Sequence, residues 1–114
     1  MKCLCLVYPG GDFVPRPEDA PEFAAVRGAM TEAGVYLDSG ALQPVGATTT
    51  LSLREGETVL TDGPFAEIKE QVGGYFLLEC ADLDEAVKWA ATIPTIRTQG
   101  SVEIRPLVDF GERA

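Results

Sequence analysis

The chain has 114 residues, 46% of them apolar and 24% charged, which suits one domain with one core and argues against extended disorder. Nine Lys and Arg against eighteen Asp and Glu give a net charge of −9. That field repels a phosphate backbone, so nucleic-acid binding is not expected.

No apolar run approaches the roughly 20 residues that a membrane span requires. The apolar stretch 3–8 is also shorter than the apolar region of a signal peptide. The expectation is a single domain over residues 1–114, cytoplasmic and without membrane contact.

In chain order, residues 2–8 read as a strand that is nearly all apolar, and Pro9-Gly10-Gly11 breaks it. Residues 9–18 hold Pro9, Pro15 and Pro17 and read as a loop. Asp19 with Glu22 fits an acidic capping box. Phe23, Val26, Met30 and Ala33 follow at helical spacing, and Gly34 supplies the stop. Residues 35–42 read as a second strand.

Alternation predicts a strand over 48–53, a turn over 54–57 and a return strand over 58–61, closed by Asp62-Gly63-Pro64. Residues 73–80 are a second strongly apolar strand. Asp82 and Glu85 repeat the capping pattern ahead of a helix whose apolar face is Leu83, Ala86, Val87, Ala90 and Ile93. Trp89 falls off that stripe and reads as a packing residue. Pro94 ends the helix, and residues 102–107 form a final strand placed at an edge by Pro106.

The order β-α-β, hairpin, β-α-β matches a split βαβ, ferredoxin-like α+β fold with an inserted β-hairpin. The strands 2–8 and 74–80 belong in the centre, with both helices on one face. In the strand 74–80, Tyr75 and Leu77 on one side are as apolar as Phe76, Leu78 and Cys80 on the other. Two helices cover only one face. The other calls for a lid or a partner, and a symmetric homodimer joined sheet to sheet is the expected solution.

Several chemistries are set aside by residue type. There is no histidine, so Ser-His-Asp and Cys-His mechanisms within one chain are excluded. Cys3 and Cys5 lie two apart on one strand, roughly 6.5–7 Å by the strand rise, a poor separation for a disulfide. With Cys80 they lack any C-x-x-C spacing, so buried reduced thiols are expected and no metal site. Neither the Gly73-Gly74 pair nor any other segment has a phosphate-loop or dinucleotide pattern, and no cofactor is expected.

The densest polar segment is 61–74. Asp62 ahead of Gly63 can hold a turn by accepting backbone N–H bonds and aim Phe65 at the core, or it can stand at the mouth of a pocket as a general base or ligand acceptor. Glu67, Lys69 and Glu70 read either as a paired surface set or as a polar pocket wall. Tyr8 and Asp38, at strand positions that could line a cleft, complete the candidate ligand-binding set of Tyr8, Asp38, Asp62, Glu67 and Lys69. Asp62 is the candidate catalytic residue. A half-buried Asp38 needs a partner, for which Arg97 and Arg105 are candidates.

The run Asp62-Gly63-Pro64-Phe65-Ala66-Glu67, with Lys69-Glu70 and Gly73-Gly74 downstream, resembles the DGPF proteins of the YCII-related family. The resemblance extends from the opening strand through residues 82–86 to the terminal 102–106. Ile68 stands where the family often has Thr. The resemblance implies a dimeric α+β barrel of ferredoxin-like subunits. It also implies an association with sigma factors of the extracytoplasmic type. The His-Asp pair of other YCII-type proteins cannot be carried over, because the chain has no His. Two functions remain: a small-ligand-binding or regulatory homodimer, or a small-molecule isomerase, lyase or hydrolase working by acid–base chemistry at Asp62.

Overall fold

The computed structural model describes residues 1–10, 16–66 and 71–111. Strand alternation sets its plan. Along β1 (Lys2–Tyr8) every second residue, Cys3, Cys5 and Val7, is buried, and the residues between are half-buried. β5 (Gly74–Glu79) repeats this with Gly74, Phe76 and Leu78. Both are central strands. β2 (Tyr36–Ala41) and β6 (Ser101–Pro106) lie at the edges in the antiparallel order β2-β5-β1-β6. With α1 (Ala20–Glu32) between β1 and β2, and α2 (Leu83–Ala90) between β5 and β6, this is the ferredoxin-like arrangement that the element order predicts.

Helix α1 ends as Gly34 requires. Gly34 has φ +77°, its N–H donates to Thr31 O at 3.0 Å, and the Val35 N–H donates to Met30 O at 3.0 Å, a Schellman motif. Its start differs from the sequence expectation. The Asp19 carboxylate turns back to accept the Arg16 N–H at 3.0 Å, capping the 3₁₀ turn Pro17–Asp19 and not α1 itself. Pro21, the second residue of α1, cannot donate, which removes one of the N–H groups that a cap of α1 would serve.

Helix α2 is capped as expected, Asp82 Oδ1 accepting the Glu85 N–H at 2.9 Å. Its buried face is rotated from the predicted one. Ala86, Ala90 and Ile93 are buried and Trp89 packs on the core, but Leu83 and Val87 are about half exposed. The small side chains of Ala86 and Ala90 let the helix lie close to the sheet, which leaves its edge to Trp89.

The core joins Cys3, Cys5, Val7, Phe76 and Leu78 to Met30, Val35, Ala86 and Ile93. All three thiols are free and buried. Burial, with Cys3 alongside, pushes the Cys5 thiol up to about 12, and burial first also pushes the Cys80 thiol up to about 11. These are inert core groups, as composition predicts.

The inserted segment forms its own two-stranded sheet, β3 (Thr49–Arg54) with β4 (Glu57–Asp62). Glu55 (φ 51°) and Gly56 (φ 81°) make the two-residue turn with positive φ at both centres. Leu51 faces Leu60 across the hairpin, and with Leu53 all three are about two-thirds exposed. Phe65, expected in the core, is 81% exposed. The hairpin has no second layer among the described residues, so no core exists there to receive the ring.

On the second face of the main sheet no strand residue is buried among the described residues. Leu4, Leu6, Tyr75 and Leu77 are adjacent on it and half-buried. The molecule measures 47 × 40 × 20 Å with a radius of gyration of 16.0 Å. A globule of this length has about 13 Å.

Candidate functional site

A concavity with a mostly apolar lining forms where β1 and β2 end and β5 begins, under the N-terminal half of α1. It holds about 400 Å³, a volume in the range of small-molecule sites. The helix contributes Ala20, Phe23 and Arg27. The sheet contributes Val7, Tyr36, Ser39, Ala41, Gly74 and Phe76. Pro9, Arg16 and Gly73 border it, with Thr95 from the turn after α2.

Close backbone approach holds this end of the sheet together. A side chain on Gly73 would collide with the Pro9 ring, its Cβ falling 2.6 Å from Cγ. One on Gly74 would meet Gly40 O at 2.8 Å. The Gly73 N–H donates to Val7 O at 2.7 Å, and the Leu42 N–H donates to Gly73 O at 2.8 Å. The paired glycines therefore tie β1 and β2 together across β5, where the close approach of Pro9 and Gly40 leaves no room for a side chain.

The lining is mostly apolar with a few polar groups. The Tyr36 and Ser39 hydroxyls lie 2.6 Å apart. Arg16 is mostly exposed and pairs with Asp19 at 3.6 Å. Arg27 is half-buried, and among the described residues it has no ion pair.

The residues singled out from sequence do not gather here. Tyr8 lies at the end of β1 and donates to Glu103 Oε1 at 2.6 Å. Asp38 takes neither arginine: its carboxylate accepts the Tyr75 hydroxyl at 3.2 Å and the Ser39 N–H at 2.9 Å, while Arg97 pairs with Glu22. Hydrogen bonding to Asp38 and its charge together raise the Tyr75 phenol above its ordinary value.

Asp62 is exposed at the end of β4 and does not line the cavity. The turn after it is held by Gly63, at φ +99°, whose N–H donates to Thr48 O at 2.7 Å and whose carbonyl accepts the Thr50 hydroxyl at 2.7 Å. Pro64 and Phe65 border a separate groove with Leu42, Val45 and Val72. Glu67 and Lys69 lie outside the described residues. No cluster of metal-ligating side chains exists among the described residues.

Sequence reasoning missed Arg27. A signal was present: Arg27 follows Phe23 by four residues, which places a guanidinium on the apolar side of α1.

A family model described as the YCII-related domain matches residues 1–111. An uncharacterized protein of Rhizobium meliloti (strain 1021) is 42% identical over 87 residues, 75% of this chain and 70% of its own length.

Proposed function

The chain belongs to the YCII-related family, and on that premise we propose that it is a small-ligand-binding homodimer whose ligand sits under α1. The cavity between α1 and the ends of β1, β2 and β5 carries this reading. It is concave, largely apolar, bordered by Gly73 and Gly74, and furnished with a few fixed polar groups.

The second copy follows from the open sheet face. Leu4, Leu6, Tyr75 and Leu77 form a flat apolar centre, and the same chain extends an arm with Leu51, Leu53 and Leu60 exposed on one side. Apolar surface of this extent is rare on a monomer. The flat shape and large radius of gyration favour a second copy over a lid from the same chain.

A thermal-shift screen of the full chain against a metabolite panel tests the ligand reading, since a ligand that binds only the folded state raises Tm by mass action. The expected result is a hit that Asp62→Asn retains and Ala41→Phe, which narrows the cavity mouth, loses. A hit lost in Asp62→Asn and kept in Ala41→Phe would move the site to the β4 turn.

A further inference from the structure

Charge around the cavity runs against charge on the chain. The whole chain carries −9. The cavity lining holds Arg16 and Arg27 against Asp19 alone, a local balance of +1. Arg16 is already matched by Asp19 at 3.6 Å and has 64% of its side chain exposed. The surplus therefore belongs to Arg27.

Arg27 is half-buried on α1 beside Phe23, and among the described residues it meets no carboxylate. Withdrawing a guanidinium partly from water without a partner is costly, and in a chain with eighteen acids a partner would be easy to supply. Lining the same cavity are Phe23 and Phe76, together with the Tyr36–Ser39 hydroxyl pair. A planar acid matches a guanidinium fork through two parallel hydrogen bonds. One unmatched positive charge suits a monoanion better than a phosphate dianion, which would call for further donors.

We infer that the cavity takes a small monocarboxylate on an apolar or aromatic body, its carboxylate held by Arg27 and its body lying against Phe23 and Phe76. This rests on the ligand-binding reading above. Rejection of the neutral amide follows from the same arrangement: it would leave Arg27 half-buried and unmatched.

The test uses the ¹⁵N-labelled full chain titrated at millimolar concentration with phenylacetate, phenylacetamide, phenethylamine and inorganic phosphate. Phenylacetate is expected to shift the amides of Ala20, Arg27, Ser39, Gly73 and Gly74. Phenylacetamide should bind at least about tenfold more weakly, as expected when one charged hydrogen-bonding partner is lost. Phenethylamine and phosphate should leave those amides in place. Arg27→Gln should abolish the preference for acid over amide, and Arg27→Lys should keep part of it, which separates lost charge from lost folding.

Equal binding of acid and amide, or acid binding unchanged in Arg27→Gln, would overturn the inference and leave the ligand site standing. Phosphate binding without phenylacetate binding would overturn the carboxylate assignment. If no probe moved the cavity amides, the inference and the ligand reading would both fail.

Discussion

The Tyr75 hydroxyl donates to Asp38 Oδ2 at 3.2 Å, linking β5 to β2 on the open face of the sheet. The register explains the pairing. Asp38 lies opposite Leu77 and Gly40 opposite Tyr75, so both residues point to the uncovered side, and Gly40 leaves room for the ring: a Cβ there would fall 2.9 Å from the Tyr75 ring. The bond also raises the phenol, because ionising it would set a second negative charge beside the carboxylate. Asp38→Asn should bring the Tyr75 phenol down towards the ordinary tyrosine value. An NMR titration following the Tyr75 ring checks this, and a titration unmoved by the substitution would remove the Asp38 contact in solution.

Gly63 holds the base of the hairpin with φ +99°. A Cβ there meets open space, so Gly63→Ala isolates the backbone effect from crowding. The substitution should cost about 1–2 kcal/mol, the scale of placing an L-residue at positive φ. Gly46→Ala, also in open space but without positive φ, should stay within about 0.5 kcal/mol. Denaturant unfolding measures both, and amide exchange at Gly63 reads the local loss at its bond to Thr48.

The buried thiols give the protein an alkaline limit. An unfolded cysteine ionises near 9, whereas Cys5 is held near 12 and Cys80 near 11 in the fold. Below 9 the thiols are protonated in both states and their contribution is fully present. Above it the unfolded state sheds protons that the folded state keeps, so stability falls as pH rises towards the folded values. Urea midpoints between pH 8 and 11 should decline, and less steeply in Cys5→Ala. A thiolate-selective reagent should leave the native thiols unmodified at neutral pH and react once the chain unfolds.

Several of these features were legible in the sequence for physical reasons. The apolar runs 2–8 and 74–80 placed two strands in the centre, because only central strands bury that much surface. Gly34 marked the end of α1, whereas the cap at its start depends on where the Asp19 carboxylate turns. Other features depend on elements meeting across the chain. Whether Leu83 or Trp89 faces the sheet is decided by how closely Ala86 and Ala90 let α2 approach. Phe65 read as core because the Asp62-Gly63-Pro64 turn could aim it there, yet among the described residues the hairpin has no second layer and the ring is exposed. The cavity was illegible as a unit: Pro9, Phe23, Arg27, Ser39 and Gly74 come from four segments far apart in the chain. Only the lone arginine on the apolar side of α1 hinted at it.

Leu77 lies at the centre of the open face, opposite Leu4 on one side and Asp38 on the other. If that face meets a second copy, Leu77→Lys places an ammonium in a desolvated interface and should turn a dimer into a monomer without unfolding it. Sedimentation equilibrium should give twice the chain mass for the wild type and the chain mass for the variant. A wild-type monomer at high concentration would contradict the sheet-to-sheet assembly.

The function of the cavity turns most directly on where a ligand lands. The decisive measurement is the ¹⁵N spectrum of the full chain titrated with the strongest thermal-shift hit. The predicted result is a set of shifts concentrated at Ala20, Arg27, Ser39, Gly73 and Gly74, the walls of the cavity under α1. Shifts concentrated at Asp62 and Gly63 with those walls unmoved would contradict it, and would return the site to the exposed turn at the end of β4.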